Sequence, residues 1–378
     1  MAARDLFRAP LAGVALAAAG VFSWAGVYPE HSPMTPSSRA TRFEGLLDLA
    51  RLPYFEVRQG RLVLADSSLG PVLDAHTHLA LSYGPGRGVD LERDSGPARH
   101  YLPAPRSLDL EVYANQNLSS QDLSAMKRDL TLRSLTPGGL RATHTLPALR
   151  REMDELGIER AVLLPIDLPM LSHNAERWLR ATQGDSRFEC FGSVHPWAPR
   201  PDRRLGRQLA LGACGLKLHP GVQLARPDAA RVRRLLRLCG QRRLIVLFHC
   251  GPVGIEPRLS RALSQVRHYQ RPIAENPDLT FVLGHSGALQ MPLALELARR
   301  FANVYLELSS QPLDGVRQIL GEAPSERILF GSDWPFYHQA LALSKVFLAT
   351  EGSPALRRAV LHDNGARLLG GRAWPLTS

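Results

Sequence analysis

The chain has 378 residues, 44% hydrophobic and 21% charged, with 31 Gly, 29 Pro and only 4 Cys. This composition excludes collagen-like, coiled-coil and disulfide-scaffold classes. The formal net charge is +11, carried by 43 Arg and 3 Lys spread along the chain without a basic tail or an Arg/aromatic stripe. No nucleic-acid partner is therefore expected. A genome that encodes basic residues as Arg explains the balance, with attraction for an anionic ligand as the alternative.

In chain order, Arg4 and Arg8 precede an uncharged apolar stretch over 9–28, and Ser23-Trp24-Ala25 places small residues where a cleavage site needs them. Residues 1–25 thus read as a signal peptide. Left uncut, the stretch of about 20 residues is long enough for an N-terminal membrane anchor. The protein is expected to be exported, periplasmic or extracellular, or held at a membrane by this segment. Residues 26–54 read as a linker and N-terminal extension, with Pro33, Pro36, Ser37 and Ser38 in the linker. The main unit is expected over 55–378. Cys190, Cys214 and Cys250 lie in or beside apolar runs and Cys239 at a helix end, without CxxC spacing. Buried thiols are expected, not disulfides or metal ligands.

From residue 55 onward, short apolar β-like runs alternate with helical patterns, the signature of βα units and a parallel sheet. Eight runs are expected as strands: 72–76, 161–166, 188–194, 215–219, 244–249, 280–285, 304–308 and 328–333. Helical spacing is clear in Leu146, Leu149, Met153 and Leu156 before Gly157, and in Val232, Leu235, Leu236 and Cys239 before Gly240. Eight parallel strands with helices between them predict an α/β fold, a (β/α)8 TIM barrel closed on itself. Between the first two strands lie residues 79–144, where a βα loop usually takes only about 2–6 residues. This insertion is rich in Gly and Pro and contains a predicted helix over 120–135. It reads as a cap over the active-site face, with an ordinary surface insertion as the alternative of similar weight.

Thirteen histidines occur, and His76, His78, His195, His219, His249 and His285 all fall at or just past predicted strand ends. In Asp74-Ala-His-Thr-His78 the two histidines are two residues apart and face the same way, so both can share one metal. An isolated HxH is weak evidence, since surface His pairs are common. The other groups arrive in order: Gly-Leu-Lys217-Leu-His219-Pro, Leu-Phe-His249-Cys-Gly, Leu-Gly-His285-Ser-Gly and Phe-Gly-Ser-Asp333-Trp-Pro.

On these motifs, the sequence over about 70–370 resembles the amidohydrolase superfamily of metal-dependent hydrolases. The likeness is greatest to its amidohydrolase-related branch, which also contains aminocarboxymuconate-semialdehyde-type decarboxylases. The resemblance implies that His76, His78, His249 and Asp333 hold a divalent metal, with Zn expected. Imidazoles and a carboxylate suit Zn²⁺, whose bound water has a pKa lowered to about 7. Asp333 would accept a proton from the attacking water and pass it to the leaving group. His285 would orient the water or bind the substrate oxyanion. Taken singly, each residue has a structural alternative, a hydrogen-bonded core His or a capping Asp; five aligned positions reverse that preference.

Lys217 is one of only three lysines, which suggests a need for an amine of adjustable pKa. As the resemblance has it, it is either a carboxylated bridge between two metals or a free ammonium that anchors a substrate carboxylate. One metal is favoured over two; a structural ion pair is the remaining alternative. His195 and His219 are weaker candidates for substrate contact, about as readily structural, and Glu307, which ends the seventh strand, is a weaker candidate still, for a hydrogen bond to a ligand or to a neighbouring strand. No GxxxxGK[ST], GxGxxG or GxSxG motif occurs, which sets aside nucleotide-dependent and serine-hydrolase chemistry. The expected function is hydrolysis of a C–N or C–O bond in a small amide, lactone or ester. The rivals are non-oxidative decarboxylation of an unsaturated or aromatic carboxylate and a non-catalytic ligand-binding barrel. The expected partner is a small-molecule substrate, anionic if Lys217 anchors it; membrane attachment through the N-terminus and homo-oligomer formation are left open.

Overall fold

A computed structural model of the chain describes residues 40–83, 88–168 and 172–370. The expected signal or anchor segment lies outside the described residues, as does the linker up to residue 39. The described part of the extension is not a linker. Arg42–Phe43 pairs antiparallel with Leu108–Asp109 of the insertion, and Leu49 and Leu52 are buried in the main core. A hairpin, Phe55–Arg58 with Arg61–Leu64, follows.

Eight parallel strands form the barrel: β1 (Val72–Thr77), β2 (Ile158–Leu163), β3 (Phe188–Cys190), β4 (Gly215–Leu218), β5 (Ile245–His249), β6 (Phe281–Gly284), β7 (Val304–Glu307) and β8 (Ile328–Leu329). They pair in two arcs, β1-β2-β3 and β4-β5-β6-β7-β8. Two single parallel bridges join the arcs, Thr77 with Trp334 and Gly192 with Leu216. At one seam the Lys217 amide donates to the Gly192 carbonyl (2.8 Å); at the other the Asp333 amide donates to the His76 carbonyl (2.9 Å). The second seam matters for chemistry, because it holds the two ends of the expected ligand set side by side.

Two apolar layers support this arrangement. The smaller cluster takes Leu73 and Ala75 from β1, Val162 from β2, Ile245 and Leu247 from β5, Val282 from β6 and Leu329 from β8. Side chains from such separate strands can meet only across the barrel interior. On β5 the alternation Ile245, Leu247, His249 carries the same face from this plug to the carboxyl-terminal mouth. The β1–β2 register shifts between Asp74 and Thr77, so β1 does not continue the plug's strict alternation into its two histidines. The larger cluster packs the strands against the outer helices. All four cysteines are free and buried, as expected.

Several strands are shorter than their apolar runs. The third ends at Cys190 and the eighth at Leu329, because the chain turns out of the sheet to build the mouth. His285, Ser310 and Asp333 there have φ of +59°, +66° and +62°, a region non-glycine residues enter at a cost of about 1–3 kcal/mol. The expected helix over 120–135 divides into an α-helix, Ser120–Leu130, and a 3-10 turn, Leu132–Leu135. Its start is fixed by a capping box between Ser119 and Asp122.

The insertion closes over the mouth. It is fastened to three barrel loops, by the backbone Leu102 N–H to the Phe336 carbonyl (3.0 Å), the backbone Ala114 N–H to the Ser310 carbonyl (2.9 Å) and the Asn115 side-chain Nδ2 to the Val253 carbonyl (2.7 Å). Buried Arg141 staples its carboxyl-terminal part. The guanidinium donates to the Leu81, Arg133, Ser134 and Thr136 carbonyls and to Ser82 Oγ.

Candidate metal centre and substrate cavity

Asp74 anchors the start of the site. Fully buried, it accepts from the His76 amide (3.1 Å), the Ser332 amide (3.0 Å) and hydroxyl, and the Gln339 side chain (2.8 Å). Burial pushes its pKa up to about 6 against these bonds. The result ties β1 to the loop after β8.

The hydrogen bonds fix which imidazole nitrogens are free. His76 Nδ1 donates to Glu307 Oε2 (2.6 Å) and His78 Nδ1 donates to the Leu164 carbonyl (2.7 Å). Ser309 Oγ donates to Glu307 Oε2 (2.8 Å), so it accepts from His285 Nδ1 (2.8 Å). The Nε2 atoms of all three rings are thereby the ones left for a further partner. His76 Nε2 lies 3.7 Å and His78 Nε2 3.3 Å from Asp333 Oδ1. Ring nitrogens and a carboxylate converging in this way suit a cation, and Glu307 and the Leu164 carbonyl orient the rings from behind. His76, His285 and Asp333 offer donor atoms all within 4.8 Å of one another. The donor set therefore fits a divalent metal.

His249 lies one ring further out. It stacks on His219 at 4.0 Å, with its centroid 4.8 Å from that of His285. The expected ligand His249 is thus beside the tight group, and His285, expected to act on water or substrate, is within it. Burial, and then the Lys217 charge, holds His249 down at about 3; burial likewise pushes His76 and His285 well below the ordinary imidazole range. All three are neutral, the form that binds metal.

Lys217 is buried with Nζ 3.3 Å from His76 Nε2. Burial lowers its pKa to about 8 while Asp333 and Glu307 oppose the drop. His219 lines the cavity. His195 does not contribute to that wall: its Nδ1 accepts from the Trp197 amide (3.1 Å) and holds a turn.

Sequence reasoning offered Glu307 only a hydrogen bond to a ligand or a neighbouring strand, yet it is central. It accepts from His76, the His285 amide (3.0 Å) and the amide and hydroxyl of Ser309. Burial pushes its pKa up to about 7. Gly331 permits this packing, since a Cβ there would stand 2.1 Å from Glu307 Oε1 and 2.9 Å from His76 Cβ. The FGSD motif contained this signal, although nothing in it named Glu307.

A second polar group lies behind Asp333. Glu152 accepts from the Trp334 indole (3.1 Å) and the Gln339 amide (2.7 Å), and lies 3.0 Å from His100 Nε2. His100 Nδ1 faces the Pro335 carbonyl at 3.2 Å. Both nitrogens of His100 thus face acceptors. His100 and Glu152 together lock residues 334–339 in place behind the site.

The cavity above the histidines has a volume of about 420 Å³. Leu81, Tyr83, Met126, Ile166 and Phe336 give it apolar walls, and Lys127 of the cap helix reaches its edge. The cap thus contributes directly to the site.

A family model described as Amidohydrolase matches residues 73–371. No curated protein sequence matches the chain. Among solved structures, an amidohydrolase from Burkholderia multivorans has a TM-score of 0.54 at 15% identity, covering 80% of this chain and 99% of that one. An uncharacterized TIM-barrel protein from Bordetella bronchiseptica gives 0.53 at 23% identity, covering 61% and 84%. The apo IDCase of Metarhizium anisopliae gives 0.51 at 19% identity, covering 81% and 99%. These likenesses agree with the TIM-barrel fold. From the match over most of its length, the chain belongs to the amidohydrolase family of metal-dependent enzymes that act on small molecules.

Proposed function

We propose that the protein is a hydrolase that opens a C–N or C–O bond of a small amide, lactone or ester and holds one divalent metal, Zn by preference. The observation that carries this reading is Asp333 Oδ1 set against the ε-nitrogens of His76 and His78. His76, His78, His285 and Asp333 would hold the cation, with His249 at its edge. Bound there, the ion would supply Lewis-acid chemistry, polarising a substrate oxygen and acidifying a water. Asp333 takes a proton from the attacking water and returns it to the leaving group. Glu307 keeps the proton of His76 on Nδ1. Lys217, as a free ammonium, holds an anionic group of the substrate. The cap excludes bulk water from the apolar cavity.

A second reading, decarboxylation of an unsaturated or aromatic carboxylate, is favoured by the apolar walls around a buried ammonium. The metal-loaded protein is to be assayed on lactones and esters by proton release, on amides by amine release, and on aromatic acids by carbon dioxide release. The hydrolase reading expects chelator-sensitive proton or amine release. Carbon dioxide alone would establish the second reading, and turnover unaffected by complete metal removal would contradict both. Lys217→Ala is expected to leave one metal per chain and weaken binding of anionic substrate about 10-fold or more; a fall from two metals would support the bridging role instead. Residues 1–25 are proposed to direct export or anchor the chain, and a reporter fused after residue 40 and retained in the cytoplasm would count against this.

A further inference from the structure

Three hydroxyls in the cavity wall have no part in the steps above. Tyr113 comes from the cap, Ser310 from the loop after β7 and Tyr337 from the loop after β8. Their exposures are only 4%, 6% and 6%. Buried hydroxyls elsewhere in the barrel donate to backbone carbonyls: Thr77 to Val162 (2.8 Å), Ser286 to Glu307 (2.9 Å) and Tyr269 to His249 (2.5 Å). Among the described residues no backbone carbonyl accepts from Tyr113, Ser310 or Tyr337.

Instead the two phenols share one polar neighbour, the Ser310 hydroxyl. Three hydroxyls carry three protons, and linking them through Ser310 uses two. At least one O–H is left to serve the cavity. Burial, with the Asp333 charge adding to it, pushes both phenols far above their usual range, so they remain donors. The Ser310 carbonyl also takes the Ala114 amide at 2.9 Å, fastening the segment that delivers Tyr113. The bond that fastens the cap segment therefore also places its donor beside Ser310.

We propose that Tyr113, Ser310 and Tyr337 form a substrate-binding donor set that holds a carbonyl or carboxylate oxygen of the substrate beside Asp333. The assignment rests on the cavity's being the catalytic site proposed above. It makes the substrate an oxygen-acceptor compound at this end. A ligand headed by an amine would meet donors and the Lys217 ammonium, and is rejected.

The test uses benzoate and benzylamine as probes, titrated into the metal-loaded full chain by calorimetry. Tyr113→Phe and Tyr337→Phe remove one oxygen each and keep the ring packing. Each is expected to weaken benzoate binding about 5- to 10-fold while metal content and melting temperature stay at wild-type values. Benzylamine is expected not to bind. Unchanged benzoate affinity in both variants overturns the assignment, as does a metal-loaded wild-type protein that binds no benzoate. A chain that takes up no metal yet binds benzoate through the tyrosines supports the donor set and overturns the functional reading instead.

Discussion

Replacing Glu307 by Gln keeps the side chain's shape and removes its charge. In the wild-type site Oε2 takes His76 Nδ1, the His285 amide and Ser309 Oγ, while Oε1 takes the Ser309 amide. A glutamine that puts its oxygen in the Oε2 position keeps three of these bonds but turns its NH₂ against the Ser309 amide. The opposite orientation turns the NH₂ against His76 and His285. The first is less costly, and it still leaves a buried donor unsatisfied, at about 1–3 kcal/mol. It also exchanges a charged acceptor behind His76 for a neutral one, and such supporting partners are typically worth 10–100-fold in metal affinity, or about 1.4–2.7 kcal/mol. Competition with a chelator of known affinity, read by metal analysis of the chain, measures the second effect, and thermal unfolding of the metal-free protein measures the first. Wild-type metal affinity in Glu307→Gln would refute the reasoning that this carboxylate prepares His76 as a ligand.

Arg141→Met removes a buried guanidinium that joins the cap to the loop after β1, and is expected to cost about 3–5 kcal/mol and raise protease cleavage within the cap; an unchanged unfolding midpoint would show the staple to be unimportant. The metal-free chain is expected to lose stability as pH falls from about 6.5 to about 4. Burial holds His144 and His249 at about 3 and His195 and His338 at about 4, so unfolding takes up protons there. Burial raises Asp74 to about 6 and Asp167 and Glu307 to about 7, which acts in the opposite direction. His76, His219 and His285, pushed down by burial too, give the histidines the larger share. Below that range Glu152 adds to the loss between about 4.5 and 2. Burial opposes its charge, but His338 and His100 hold its carboxyl at about 2. Melting curves from pH 7 to 5 that are flat or rise would contradict this balance.

Much of the barrel is legible in the sequence because parallel strands covered on both faces read as short apolar runs. Their ends are less legible. The run from Ile328 to Asp333 looks like one strand, yet hydrogen bonding to Asp74 and His76 pulls the chain out of the sheet after Leu329. His76 and His78 could be found from their spacing, and Asp333 from the family resemblance. Glu307 could not, since one carboxylate at a strand end looks the same facing solvent or an imidazole. His195 shares the strand-end position of the other histidines, and only the Trp197 amide against its ring shows a different use. Tyr113, Ser310 and Tyr337 come from separate loops, and His100, Glu152 and His338 from the cap, the helix Leu146–Glu155 and the loop after β8, so their meeting is a property of the tertiary fold.

The central claim is that His76, His78, His285 and Asp333 form one metal centre, and counting metal per chain tests it most directly. The full chain, purified in the presence of Zn²⁺ and freed of loosely bound ion, is predicted to hold about one divalent cation. His76→Ala and Asp333→Ala should each lose it while the barrel stays folded by circular dichroism. A wild-type protein that retains no metal, or an Asp333→Ala protein that retains a full equivalent, would contradict the account.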